Sequence, residues 1–107
     1  MTTVARRVEQ REDERKLCFF MGVDYASDHQ VFSESIHDIS ANGLFIETQK
    51  ALPAGTAINM VFTDYDKLRL IKIPGKVLRA SERGIAVRFT FNDKGQRSFI
   101  NNVVQNI

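Results

Sequence analysis

The sequence predicts a mainly β domain: a small antiparallel barrel of roughly six or seven strands, with a C-terminal α-helix and a flexible N-terminal arm. Three observations carry this expectation. Short runs rich in β-branched and aromatic residues alternate with turn formers from Leu17 to Phe91, two of those runs alternate apolar and other residues with period two, and after Phe91 the apolar spacing becomes helical. The chain has 107 residues, 43% of them hydrophobic, which suits one domain with a real core and leaves no length for a second.

Met1 to Lys16 is polar, charged and almost free of large apolar residues, so residues 1–16 are expected to be a mobile arm and residues 17–107 the barrel with its helix. The strand segments then follow as "LCFFMGVDYA", "QVFSESIHDIS", "GLFIET", "AINMVFTDY", "LRLIKIPGKVLRAS" and "GIAVRFTF". Ile58, Met60 and Phe62 share one face of the fourth, and Ile85, Val87 and Phe89 share one face of the last. Pro53 and Gly55 punctuate one connection. Pro74 and Gly75 are expected to bend or bulge the long fifth segment, because proline donates nothing to a ladder. Beyond Phe91, Phe99, Val103 and Ile107, flanked by Ile100 and Val104, recur at helical spacing, and Asp93 with Gln96 predicts a capping box. The apolar stripe of so short a helix must cover an open end or side of the sheet.

Composition and motifs exclude several function classes. A formal net charge of +2 and a pI near 8.9 give too weak a field to hold long DNA by bulk charge, though not to hold a small anion at a local cluster. The single Cys18 forms no internal disulfide, and its apolar setting points to a buried thiol in a reducing compartment, so the cytoplasm is expected. Arg6 and Arg7 do not open an export signal, because "VEQREDERK" follows where an apolar segment is needed. No run approaches the ~18 apolar residues of a membrane span, so no membrane insertion is expected. His29 and His37 are the only histidines and none pairs with Cys18 at a zinc spacing, which leaves no metal or cofactor expectation. His37, Asp38 and Ser40 resemble a hydrolytic triad only in composition, since strand neighbours are expected to face apart. Phosphate-loop and nucleophile-elbow motifs are missing from the sequence. Binding is the better class, and no enzymatic activity is expected.

Two segments remain unusual. In "RVEQREDERKL", Arg7, Arg11 and Arg15 fall four residues apart just before the first strand. In "SIHDISANGLFIE" a strand breaks into a polar bend at Asp38, Ser40, Asn42 and Gly43 and then resumes. Each has an ordinary explanation, a solvated arm and a hairpin corner. Together they are chemically complementary. Guanidinium is a permanently charged fork that grips phosphate oxygens or the O6/N7 edge of guanine, whereas a carboxylate such as Asp38 accepts from guanine N1 and N2. Ser40 supplies a small hydroxyl, and Gly43 permits close backbone approach.

R-x-x-x-R as Arg11 to Arg15, followed by D-x-S-x-x-G as Asp38, Ser40 and Gly43 and then "LFI", resembles the PilZ domain, a bacterial receptor for cyclic di-GMP. "LPAGTAINMVF", "GKVLRA" and "GIAVRF" are similar to later PilZ strands, and a C-terminal helix is usual there, so the resemblance covers nearly the whole chain. It implies a PilZ-like barrel whose ligand is cyclic di-GMP, bound by Arg11, Arg15, Asp38, Ser40 and Gly43. Asn42, inside the second motif, and Arg7, in an earlier R-x-x-x-R register, rank below them. Gln10 stands where many relatives carry a further arginine, and the acidic "EDE" inside the first motif opposes a dianionic ligand. The implied mechanism is a non-enzymatic sensor whose arm orders on ligand binding and signals to a downstream protein partner. Two rivals stand beside it: a degenerate adaptor of the same fold that ignores the nucleotide, and a small barrel that binds single-stranded nucleic acid through exposed aromatics.

Overall fold

The computed structural model describes residues 14–50 and 52–107. Seven strands and one helix follow one another in that range: β1 (Lys16–Leu17), β2 (Gly22–Ser27), β3 (Gln30–Ile39), β4 (Gly43–Glu47), β5 (Ala57–Asp64), β6 (Arg69–Ser81), β7 (Gly84–Phe89) and α1 (Lys94–Gln105). All pairings are antiparallel. The spatial order β3-β2-β5-β6-β7-β4 is closed by β3 against β4 into a six-stranded barrel, and β1 is an extra strand on β3. The expected mainly β barrel with a C-terminal helix is therefore observed. Closure removes the free edges that a twisted open sheet would expose.

The period-2 faces point inward as expected. Ile58, Met60 and Phe62 of β5 and Ile85, Val87 and Phe89 of β7 are buried, and they meet Ile36, Ile39, Leu44, Ile46, Ile73 and Val77 in one core. The helix covers one end of that core. Ile100 is fully buried and Phe99 packs on Phe62 with ring centroids 5.8 Å apart. Asp93 caps α1 by accepting the Gln96 N–H at 2.8 Å. Gln96 accepts the Asn92 N–H at 2.6 Å, one residue earlier than a reciprocal capping box requires, and its amide donates to the Lys72 carbonyl of β6 at 2.9 Å. Ile107, expected in the apolar stripe, lies past the end of α1 and is exposed, because the stripe turns about Ile100.

Three expectations are corrected. "LCFFMGVDYA" is not one strand: it turns at Phe19–Phe20, where the Met21 N–H donates to the Cys18 carbonyl at 3.0 Å. Five consecutive apolar residues cannot alternate, so Cys18 enters the core while Leu17, Phe19 and Phe20 stay exposed. Pro74 and Gly75 do not bulge. They pair in register with Asn59 and Ile58, and the β6 irregularity falls at Leu78, between Val77 and Arg79. Gly75 is required by packing, since a Cβ there would lie 2.7 Å from the Met60 methyl carbon and 2.8 Å from a Val87 methyl. The third correction is a second bulge, at His37 in β3.

Candidate functional site

The β3 bulge builds the site. Ile36 pairs with Ile46 and Asp38 pairs with Phe45, so His37 is one residue too many for the β4 ladder. A bulge locally breaks the alternation of side chains. His37 and Asp38, expected to face apart, instead meet: His37 Nδ1 lies 2.8 Å from Asp38 Oδ2. The other carboxylate oxygen accepts from Arg15 Nη1 at 2.7 Å. Asp38 is thus held from two sides while only 18% of its side chain is exposed, against 43% for Arg15. An ion pair at this half-exposed position contributes modestly to stability, on the order of 0–1 kcal/mol, so its value is positional.

The short β1 brings Arg15 here. Leu17 pairs with Asp38 and Lys16 with Ile39, and the Cys18 N–H donates to the His37 carbonyl at 2.8 Å. Lys16 Nζ also donates to the Val104 carbonyl near the end of α1 at 3.0 Å, which ties the arm side of the site to the helix. Cys18 is fully buried, and burial, with the Asp38 charge adding to it, pushes its thiol up to about 11. Folded protein at pH 8 should therefore react with a thiol reagent on the order of 100-fold more slowly than a free cysteine. The check is the time course of dithionitrobenzoate labelling before and after denaturation; equal rates would contradict the burial.

The bend after β3 is an internally bonded corner. The Ser40 N–H donates to the Gly43 carbonyl at 2.8 Å, and its hydroxyl donates to the same carbonyl at 3.4 Å while accepting the Asn42 N–H at 3.3 Å. The Ser40 side chain is fully buried, so its hydroxyl shapes the corner. Gly43 answers to a neighbouring strand: a Cβ would sit 2.3 Å from the Val87 carbonyl oxygen and 3.3 Å from Arg88 Cα. Arg15, Ser40, Asn42 and Gly43 line one cavity of about 240 Å³ together with Arg88. Asp38 opens instead on a cavity of about 330 Å³ with His37, Phe45, Glu47, Arg79, Ser81 and Arg83. Arg7 and Arg11 lie outside the described residues.

Register connects the two walls of the larger cavity. Asp38 pairs with Phe45, Phe45 with Ala86 and Ala86 with Arg79, one row across four strands on the outer face of the barrel. The next outer row is Gly43, Arg88 and Lys76. Phe45 is half-buried and meets the His37 ring edge-on, centroids 6.1 Å apart. Phe45, Arg79, Arg83 and Arg88 also line these cavities, and sequence reasoning did not single them out. An apolar residue at an outward position between inward Leu44 and Ile46 was the available signal for Phe45; exposed arginines on strands, such as Arg79 and Arg88, or in a turn, such as Arg83, carry no such signal until pairing places them.

Among the described residues no three of His, Cys, Asp and Glu cluster as metal ligands, and no helix is long and apolar enough to cross a membrane. A family model described as PilZ domain matches residues 6–106. The fold is similar to the PilZ domain of CeSA from a cellulose-synthesizing bacterium, with a TM-score of 0.72 and 14% identity over 87% of this chain and 96% of that one. It is also similar to an uncharacterized protein of Legionella, with a TM-score of 0.55 and 19% identity over 86% of this chain and 90% of that one. A comparison with curated proteins finds no match. The matched span takes in both motifs and every strand, and the barrel agrees with a solved PilZ domain, so the chain belongs to the PilZ domain family.

Proposed function

We propose that this protein is a non-enzymatic receptor for cyclic di-GMP that orders its N-terminal residues on binding and passes the signal to a partner protein. PilZ is a receptor fold for that nucleotide, and one observation carries the reading for this chain: the 2.7 Å contact of Arg15 with Asp38, which joins the two sequence motifs at the rims of two cavities. Arg15 and Asp38 hold each other in the arrangement that a guanine ligand would exploit. The carboxylate accepts from N1 and N2 while a guanidinium takes O6/N7 or phosphate. Arg11, four residues earlier, supplies the second fork in this account. The corner of Ser40, Asn42 and Gly43, which lines the smaller cavity beside Arg15, forms the pocket floor in this account.

The energetics are feasible. Charged hydrogen bonds contribute about 1.5–3 kcal/mol each, and ordering ten residues costs on the order of 10 kcal/mol, so several such bonds are needed for a micromolar complex near −8 kcal/mol. Chain geometry supports a route for the signal. Arg15 precedes β1, and the adjacent Lys16 bonds the Val104 carbonyl, so closing on a ligand changes the surface next to α1.

The nucleic-acid reading needs exposed aromatics over a basic groove. Phe20 and Tyr65, both exposed, instead border a cavity with Asp64 and Asp66, and among the described residues no lysine or arginine lines it. Calorimetric titration of the whole chain with cyclic di-GMP, GTP and single-stranded DNA tests the proposal. Saturable heat with cyclic di-GMP, weakened about 5- to 150-fold in Arg15→Ala, is the expected result. No heat in the wild type would favour the adaptor reading.

A further inference from the structure

We infer that two copies of this chain associate through an exposed apolar face formed by the β5–β6 turn, the Phe19–Phe20 turn and the adjoining side of α1. The inference goes beyond the receptor reading and does not depend on it.

The starting observation is a local rule that the sequence breaks. β5 and β6 are joined by a turn at residues 65–68, and Leu68 closes it with φ 51°. That left-handed backbone suits glycine or asparagine, whereas a bulky side chain there is strained. Burial does not offset the strain, since Leu68 is 85% exposed and Leu70, just inside β6, is 71% exposed. The turn is nonetheless firmly held. One oxygen of the Asp64 carboxylate accepts the Asp66 N–H at 3.1 Å and the Lys67 N–H at 3.3 Å, and the other accepts from Arg69 Nε at 3.3 Å. A fixed, strained turn that presents leucines to water gains nothing within a single folded copy, which marks it as a functional feature.

The apolar face continues beyond the turn. Tyr65, 78% exposed, and Phe20, 65% exposed, border a cavity of about 360 Å³ whose apolar lining is completed by Met21, Phe99, Val103 and Ile107. Leu70 stands opposite Thr63, which lines the same cavity, and Phe19, as exposed as Phe20, meets it edge-on with ring centroids 6.5 Å apart. From the areas that aromatic and aliphatic side chains bury, Phe19, Phe20, Tyr65, Leu68 and Leu70 offer roughly 400–700 Å² of apolar surface. A standard interface takes about 800 Å² from each partner, a little over half of it apolar, so this face is large enough for one.

Shape and charge point to a second copy as the occupant. The face carries both a hollow beside α1 and, on the adjoining hairpin, two projecting leucines, so a two-fold arrangement seats the leucines of each copy in the hollow of the other. The turn is also electrically self-complementary. Asp64 pairs with Arg69 inside the chain, while among the described residues Asp66 and Lys67, adjacent and opposite in sign, make no ion pair. Across a two-fold axis Asp66 of each copy meets Lys67 of the other, and because the charges of Asp64, Asp66, Lys67 and Arg69 cancel, the two faces do not repel.

The test is sedimentation velocity on the full chain without nucleotide, over a dilution series from about 1 mM to about 1 μM, beside thermal melts of dilute protein. Wild type is compared with Leu68→Asn, Tyr65→Ser and Val31→Ser. Asparagine adopts the backbone of Leu68 without its apolar side chain, and Val31, 71% exposed and paired with Ala26 at the far end of β2, controls for loss of any exposed apolar group. The expected result is a reversible wild-type dimer that weakens at least about 10-fold in Leu68→Asn and in Tyr65→Ser, because each substitution acts twice in a two-fold interface, and less than about 2-fold in Val31→Ser. The melting midpoint of dilute Leu68→Asn should be unchanged or higher. A monomer at every concentration overturns the inference and leaves the face to a different protein. A dimer that survives Leu68→Asn and Tyr65→Ser, or that Val31→Ser weakens equally, also overturns it by placing the contact elsewhere, and a lowered midpoint in Leu68→Asn overturns it by assigning the leucine to the fold. With no nucleotide present, every outcome is read separately from the receptor proposal.

Discussion

Gly43→Ala is expected to lower the thermal midpoint by roughly 5–20 °C, the equivalent of about 1–3 kcal/mol of overpacking in a domain of this size. The added Cβ would lie 2.3 Å from the Val87 carbonyl oxygen, and the next contact is Arg88 Cα at 3.3 Å. Both are backbone of β7, so no side chain can rotate away. Relief requires separating β4 from β7, where Gly43 pairs with Arg88 and Leu44 with Val87. That separation opens the barrel and also displaces the Ser40 and Asn42 corner, which is anchored by the Phe89 N–H donating to the Asn42 carbonyl at 2.9 Å. Differential scanning calorimetry checks it. An unchanged midpoint would mean that the ladder gives freely, and the close approach of β4 to β7 would have no energetic meaning. Loss of ligand binding in this variant therefore reports on the scaffold and is not a measure of ligand contact.

Asp38→Asn separates charge from shape. The side chain keeps its size at the β3 bulge, but one acceptor becomes a donor and the ion pair with Arg15 is gone. Under the receptor reading, cyclic di-GMP affinity falls about 5- to 150-fold, because a guanine edge that offers two donors then faces a donor, while stability changes by only ~0–1 kcal/mol. Titration calorimetry beside a thermal melt reads the two quantities independently. Equal affinity for wild type and Asp38→Asn would remove Asp38 from the ligand site. A large drop in melting temperature with little change in affinity would assign the Arg15–Asp38 contact to folding.

The two variants show how different the roles of one motif are. Asp38, Ser40 and Gly43 were adjacent in a single sequence signature, yet Asp38 faces a cavity, Ser40 is sealed inside its own corner, and Gly43 makes room for a neighbouring strand. A motif records which residue types a site requires and does not say which of them meets the ligand and which holds the frame. The same lesson applies to His37. Strict alternation set it apart from Asp38, and one extra residue in the β3–β4 ladder brought the two side chains together.

Sequence by itself determined the fold class, the inward faces of β5 and β7, the capped helix after Phe91 and the two motifs, because each is written in local spacing: period two, helical recurrence, or fixed offsets between polar residues. Tertiary structure alone decided the turn at Phe19–Phe20, the bulges at His37 and Leu78, and the row from Asp38 through Phe45 and Ala86 to Arg79. Those depend on barrel closure and strand register, which couple residues far apart in the chain. A surface arginine on β6 has the same local pattern whether it faces bulk water or lines a cavity shared with a residue three strands away.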